Sequence, residues 1–336
     1  MKTVYIVEPG AVIRREGERL RVFAAKEARG DVLLHDLGQL VVVGNIVLTP
    51  SAMQALLERG VDTVLLGHAG QYRGRITSGA SSNVRLRLAQ YEKLTDDATA
   101  IAVATRFVQG KLANQRALLL RALRRHGPEP RLKAGVVALA ASSLRVETAV
   151  SLDAVRGCEG SGSAAYFRAF PALLRSDDFR FDGRNRRPPL DPVNAMLSLG
   201  YTLLANAVEA AVQIVGLDAH VGALHEPLAG RPSLVCDLME ELRAPVVDAL
   251  VLAAIHHRVV GPDAFEDVGD GQPVLFRRDG LRAFVAMFER RLERTSTYAD
   301  ASGERSLPWK QIIEAQARRF ARSMLGKDEY ECHAVR

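Results

Sequence analysis

Cysteine is scarce in this chain: three stand among 336 residues, and Cys158, Cys236 and Cys332 are odd in number and far apart. A disulfide framework is therefore not expected, which suits a reducing compartment. No Cys-x-x-Cys pair occurs, so the paired thiolates of a structural zinc site are missing too. No uninterrupted apolar run reaches the ~18 residues that a membrane-crossing helix needs. The opening Met1-Lys-Thr-Val-Tyr-Ile-Val-Glu reads as a strand, interrupted by Glu8 and Pro9, and its apolar core is too short for a secretory signal. A cytoplasmic protein without membrane association is the expectation. Internal repeats and coiled-coil heptads are also absent.

What is present is 48% hydrophobic and 25% charged residues, the balance of a soluble globular chain long enough for two domains. The net charge is +6, and the basic residues are mostly arginine. A planar guanidinium suits phosphate oxygens, and a basic surface draws polyanions. A genome rich in arginine, alanine and leucine codons gives the same composition, so charge alone leaves both readings open.

The first 78 residues are β-rich. Val4–Val7, the two halves of 12–23 around a turn at Gly17, Val32–His35, Gln39–Gly44 and Thr63–Leu66 are strand-like. Between Thr49 and Gly60, Pro50 opens a helix on which Met53, Leu56 and Leu57 share helical spacing. Small residues at 78–83 form a junction, after which alanine, leucine and arginine dominate and 98–125 carries apolar residues every three or four positions. The expected fold is α+β, with a β-rich domain at 1–78, a linker at 79–84 and a larger all-α-helical catalytic domain at 85–330. Residues 176–190 are polar, basic and proline-terminated, hence a loop. A helix then begins with Asp191 as N-cap and runs to Gly216, and another opens near Pro232-Ser233, with a kink or break due at Pro245.

Three clusters could carry chemistry. Glu159 lies among small residues in Gly157-Cys-Glu-Gly-Ser-Gly, His225 lies in Ala223-Leu-His-Glu-Pro, and Asp237 and Glu240 stand at (i, i+3) on a helix. One imidazole with oxygen donors suits manganese or magnesium, and such an ion activates an attacking oxygen and neutralises a transferring phosphate. Each residue has a plainer reading. Glu159 could cap a helix beginning after Ser161 or Ser163, and His225 could be an ordinary loop histidine. Asp237, Glu240 and Glu241 could form the wet face of a helix whose Leu234, Leu238 and Leu242 face the core. Spacing does not decide between these.

A longer series of strings resembles one family, the CRISPR-associated adaptation integrase. It comprises Gln39-Leu-Val-Val-Val-Gly-Asn with its Thr-Pro helix, Lys111-Leu-Ala-Asn-Gln-Arg, Gly157-Cys-Glu-Gly, Arg184-Asn-Arg-Arg-Pro-Pro-Leu-Asp-Pro-Val-Asn-Ala, Gly216-Leu-Asp-Ala-His, Leu224-His-Glu-Pro, Gly230-Arg-Pro-Ser-Leu and Asp237-Leu-Met-Glu-Glu-Leu-Arg. The series runs in order through essentially the whole chain. The resemblance implies one divalent ion per subunit, Mn²⁺ or Mg²⁺, on Glu159, His225 and Glu240, with Asp237 as an additional acid and a Cys/His zinc site as a minor alternative. It implies endonuclease and integrase activity that inserts spacers by transesterification. The 3′-hydroxyl of one strand attacks a phosphodiester of the repeat, with no nucleotide energy source. It also implies double-stranded and branched DNA as substrates, homodimers through the N-terminal domain, and a small second adaptation protein as a bridge. Arg184, Arg186, Arg187, Arg243, Tyr166 and Tyr201 are the candidate DNA contacts; packing in a helical core is the alternative for the two tyrosines. The competing functions are a non-catalytic DNA-binding scaffold and another metal-dependent phosphodiesterase.

Overall fold

The computed structural model describes residues 2–25, 27–68, 70–78, 83–185, 188–266, 269, 272–300 and 303–335. Its N-terminal part comprises β1 (Lys2–Ile6), β2 (Val12–Glu16), β3 (Arg19–Ala24), β4 (Glu27–Leu33), β5 (Leu37–Val43), β6 (Val47–Leu48), α1 (Pro50–Glu58), β7 (Asp62–Leu66) and β8 (Tyr72–Ile76). Two four-stranded sheets result, ordered β1-β5-β7-β8 and β4-β3-β2-β6. In the first, β1, β5 and β7 run parallel and β8 closes the edge antiparallel. Parallel strands covered on both faces read as continuous apolar runs, which accounts for Leu40-Val-Val-Val. Strand alternation sends Leu40 and Val42 into a small core shared with the second sheet and α1, whereas Val41 and Val43 enter the large helical core. The first sheet is thus the wall between two cores.

Most sequence-expected elements of this part are present, with differences. The strand expected at Val32–His35 begins earlier and ends at Leu33, while β6 and β8 were not anticipated. Thr49 caps α1 through the Ala52 N–H, as its position before Pro50 requires. Arg75 of β8 ties the sheet to the helices, pairing with Asp62 at 2.9 Å and with Glu209 at 2.5 Å.

The helical part comprises α2 (Val84–Thr95), α3 (Asp97–His126), α4 (Pro130–Glu147), α5 (Leu152–Ala169), α6 (Pro171–Leu174), α7 (Pro192–Val215), α8 (Ser233–Leu242), α9 (Ala249–His256), α10 (Arg278–Glu293), β9 (Thr295–Asp300), β10 (Gly303–Pro308) and α11 (Trp309–Met324). The antiparallel hairpin of β9 and β10 corrects the all-α expectation. Its strands are polar and largely exposed, so no apolar alternation marked them. Asp191 caps α7 and Gly216, at φ +94°, ends it, as the sequence indicates. By length and composition α7 is apolar enough to cross a membrane, contrary to the run-counting expectation; yet 61% of the qualifying stretch is buried inside the protein, where α7 serves as a core helix.

Pro245 neither breaks nor sharply ends its helix. The chain widens into a π-helical segment at Arg243–Asp248, with the Ala249 N–H reaching back five residues to the Ala244 carbonyl. Proline offers no N–H to a regular ladder, and an extra residue in the turn absorbs the misfit. The loop at 176–190 is present in its described residues, but two aromatics, Phe179 and Phe181, are buried in the helical core and anchor it.

Candidate active site

Three elements converge around α3, which packs against α4, α5 and α8. Glu159 lies in the middle of α5, so it caps nothing; Ser151 performs that role. Gly162 allows close approach of α5 to α3, because a Cβ there would collide with Leu112. Gly157 and Gly160 face open space, which leaves the surface beside Glu159 accessible.

The acids of α8 are not a wet face. Asp237 and Glu241 are 0% exposed and Glu240 is 4% exposed. Burial pushes the Glu240 carboxyl up, but the Arg243 guanidinium and the Lys111 ammonium outweigh it and hold the group at about 2. Arg243 Nε lies 3.1 Å from one Glu240 oxygen. Lys111, from α3, pairs with the other at 2.7 Å and also with Glu159 Oε1. Glu159 and Glu240, expected to share an ion, are thus brought together through an ammonium.

His225 lies on the loop between α7 and α8. Its Nδ1 is 2.6 Å from Asp237 Oδ1, and the same carboxylate accepts the N–H groups of Ala223, Leu224 and His225 at 2.6, 3.0 and 3.0 Å. Asp237 was expected to lean toward the site as an extra acid. All four of these bonds instead turn it inward, where it holds the loop and orients the imidazole. Arg156 of α5 secures the loop from outside, bonding Leu224 O and Glu226 Oε1, each at 2.9 Å. Neither Arg156 nor Lys111 was singled out as a site residue from the sequence; for Lys111 the only signal was its place in the Lys111–Arg116 string.

Among the described residues, no three His, Cys, Asp or Glu side chains already form a metal cluster. Glu159, His225 and Glu240 nevertheless fit a hard divalent cation in donor type: two carboxylates and an imidazole whose Nδ1 is already committed to a carboxylate. Glu240 Oε2 is buried and faces the Lys111 ammonium at 2.7 Å, so it is directed at the space it shares with Glu159. Cys158 and Cys236 are free, and burial pushes the Cys236 thiol up, away from the thiolate that zinc prefers.

The model of the CRISPR-associated protein Cas1 family matches residues 4–290. A CRISPR-associated endonuclease Cas1 from Thermus thermophilus is 38% identical over 338 residues, covering 99% of this chain and 97% of its own length. Another from Rhodospirillum rubrum is 38% identical, covering 97% of this chain and 96% of its own length. The chain belongs to the CRISPR-associated Cas1 family. It is a nuclease of the spacer-integrating kind. The fold agrees: a Cas1 protein from Thermotoga maritima superimposes with a TM-score of 0.84 at 21% identity, over 99% of this chain and all of that one. A casposase bound to its integration product gives 0.86 at 24% identity, over 99% of this chain and 93% of that one.

Within this Cas1 chain the expected DNA contacts separate. Tyr166 is fully buried and its hydroxyl donates to Asp248 at 2.8 Å, so it packs in the helical core. Tyr201 donates to the other Asp248 oxygen at 2.6 Å, and its ring lies under the guanidinium groups of Arg243 and Arg184 at 4.7 and 5.5 Å. Burial lifts the Asp248 carboxyl to about 6 against the opposing pull of the two phenols and the arginines. Arg184 bonds Asn194 Oδ1 at 2.6 Å and Ser198 Oγ at 3.1 Å, so it organises the loop from within. Arg186 and Arg187 lie outside the described residues. A groove of about 650 Å³ beside the site is lined by Arg131, Arg168, Phe167 and Ser163. Ser163 Oγ donates to Glu159 Oε1 at 2.9 Å, which joins the groove to the carboxylate.

Proposed function

We propose that Glu159, His225 and Glu240 hold one divalent ion, manganese or magnesium, and that strand transfer and DNA cleavage occur there. The observation that carries this reading is the convergence of two carboxylates from α5 and α8 on a single cation, beside a loop histidine whose Nδ1 is fixed by buried Asp237. When bound, the ion supplies Lewis-acid activation of the attacking oxygen and charge neutralisation at the phosphate. Asp237 keeps Nε2 of His225 as the free lone pair. Arg243 holds Glu240 and brings positive charge to the site. A DNA 3′-hydroxyl exchanges one phosphodiester for another, so no nucleotide is consumed; water in its place gives cleavage.

Exposed Arg131 and Arg168 carry the phosphate backbone along the groove to Ser163 and Glu159 in this reading. Arg186 and Arg187 remain candidates for the same task. The homodimer through residues 1–78, the helical catalytic part at 85–330, branched DNA and a small second adaptation protein follow from the family likeness. One structural neighbour is described as a Cas6-RT-Cas1–Cas2 complex, which supports the last of these.

The test compares branched-DNA strand transfer with hydrolysis of a soluble phosphate ester, with and without manganese, for the parent chain and for Glu159→Ala, His225→Ala and Glu240→Ala. Strand transfer that depends on manganese and is lost in all three variants, with folding retained, is the expected result. Full activity in any variant removes that residue from the site. DNA binding without strand transfer by the parent chain favours the scaffold, and turnover of the ester alone favours another phosphodiesterase.

A further inference from the structure

Lys111 is 5% exposed, and its ammonium lies between Glu159 and Glu240. An ammonium withdrawn from water persists only where carboxylates compensate it, and here two do so from different helices. The charges of the two ligand carboxylates already balance: Glu159 and Glu240 are matched by Lys111 and Arg243, while Asp237 is bonded to His225. A divalent ion added with both cations in place would leave an excess of positive charge in a largely buried place, even with Asp237 counted. Something cationic has to leave the carboxylates for the ion to enter. Arg243 sits on the other Glu240 oxygen with its guanidinium fixed over the ring of Tyr201, whereas Lys111 lies between the two carboxylates and carries its charge on a flexible four-carbon stem.

We infer that Lys111 is a resident counter-cation of the metal site: it keeps Glu159 and Glu240 together before the ion arrives, and the ion displaces it. This rests on the reading that those two carboxylates take a divalent ion. The arrangement keeps two nearby anions from repelling one another in the metal-free protein. It weakens metal affinity, because each binding event breaks two ion pairs. The displaced ammonium is then left without its carboxylates, carrying the charge sign that a phosphodiester complements. Lys111 therefore acts on the ion through competition and positioning, not as a ligand.

Titration calorimetry with Mn²⁺ on the full chain tests this, using the parent, Lys111→Gln, Lys111→Met and Lys111→Arg after chelation. Gln retains N–H donors for both carboxylates and secures a folded sample if Met does not. Removing a positive charge adjacent to the ligands is expected to tighten Mn²⁺ binding at least ~10-fold in the Gln and Met variants. Their metal-free forms should melt below the parent, and Mn²⁺ should raise their Tm more than it raises the parent's. Lys111→Arg, which keeps the charge, should bring the affinity back toward the parent value. In strand-transfer assays kcat should fall in the neutral variants even as the ion binds more tightly, a split that a merely structural lysine would not give. Equal or weaker Mn²⁺ binding in folded neutral variants overturns the proposal while leaving the metal reading intact. Failure of Mn²⁺ to bind the parent and every variant refutes the metal reading, and the role of Lys111 with it.

Discussion

Replacing Asp237 by asparagine changes a single oxygen into an amide nitrogen in a carboxylate whose every acceptor position is in use. Oδ2 accepts from the N–H groups of Ala223 and Leu224, and Oδ1 accepts from the N–H and Nδ1 of His225. Whichever way the amide turns, two donors then face an NH₂. Each bond to a charged acceptor is worth about 1.5–3 kcal/mol, so about 3–6 kcal/mol is at risk. Burial already pushes this carboxyl up, so neutralising it returns part of that amount, and a net loss of about 2–4 kcal/mol is expected. The second consequence concerns the imidazole. With the amide oxygen kept on the Ala223 and Leu224 N–H groups, the NH₂ faces Nδ1, the imidazole proton moves to Nε2 and the lone pair intended for the ion is lost, which lowers metal affinity about 10–100-fold. Glu240→Gln, by contrast, removes a ligand outright and should abolish manganese binding. Urea unfolding together with manganese calorimetry on both variants measures the two effects. An Asp237→Asn protein with parental stability and parental manganese affinity would refute this account of the loop, and loss of the ion from the Asp237 variant but not the Glu240 variant would reassign the ligand.

Two further outcomes are expected. Reversing Arg131 and Arg168 together should reduce the salt dependence of DNA binding by about 0.9 in log–log slope for each phosphate that is no longer neutralised. Reversing Arg186 and Arg187 should act in the same direction, whereas Arg184→Ala should mainly cost stability through its bonds to Asn194 and Ser198. An unchanged slope for Arg131 and Arg168 would remove the groove from the DNA path. The second outcome concerns Asp248, whose carboxyl is raised to about 6 in the folded protein. Below about pH 4 it is protonated in both states; as pH rises from about 4 to 6 the unfolded chain ionises first, so its contribution to stability falls by about 3 kcal/mol. Asp248→Asn should flatten the stability profile in that window, and a profile parallel to the parent's would show that Asp248 does not titrate there.

The sequence showed elements whose signals are local. Thr49-Pro50 and Asp191-Pro192 mark helix starts, Gly216 a helix end, and Leu40-Val-Val-Val a strand, because capping and apolar runs involve only neighbouring residues. Edge strand β8 and the β9–β10 hairpin escaped because their residues are mostly polar and show no apolar alternation. The site was legible as a set of residues through family likeness, but not as an arrangement. Periodicity makes Asp237, Glu240 and Glu241 look solvated; their burial follows from contacts with Lys111, His225 and Gln316, which lie 129, 12 and 75 positions away in sequence. Lys111 meets Glu159 across 48 positions, a relation that no local pattern expresses. Tyr166, open to two readings in the sequence, is buried against Asp248.

A crystal soaked in manganese, with data collected at a wavelength where the ion scatters anomalously, tests the central claim most directly. One anomalous peak per subunit between Glu159, Glu240 and Nε2 of His225, with the Lys111 ammonium moved off the carboxylates, is the result this account requires. A crystal without that peak, with Lys111 still bridging Glu159 and Glu240, or with the ion bound at Cys158 or Cys236, would contradict it.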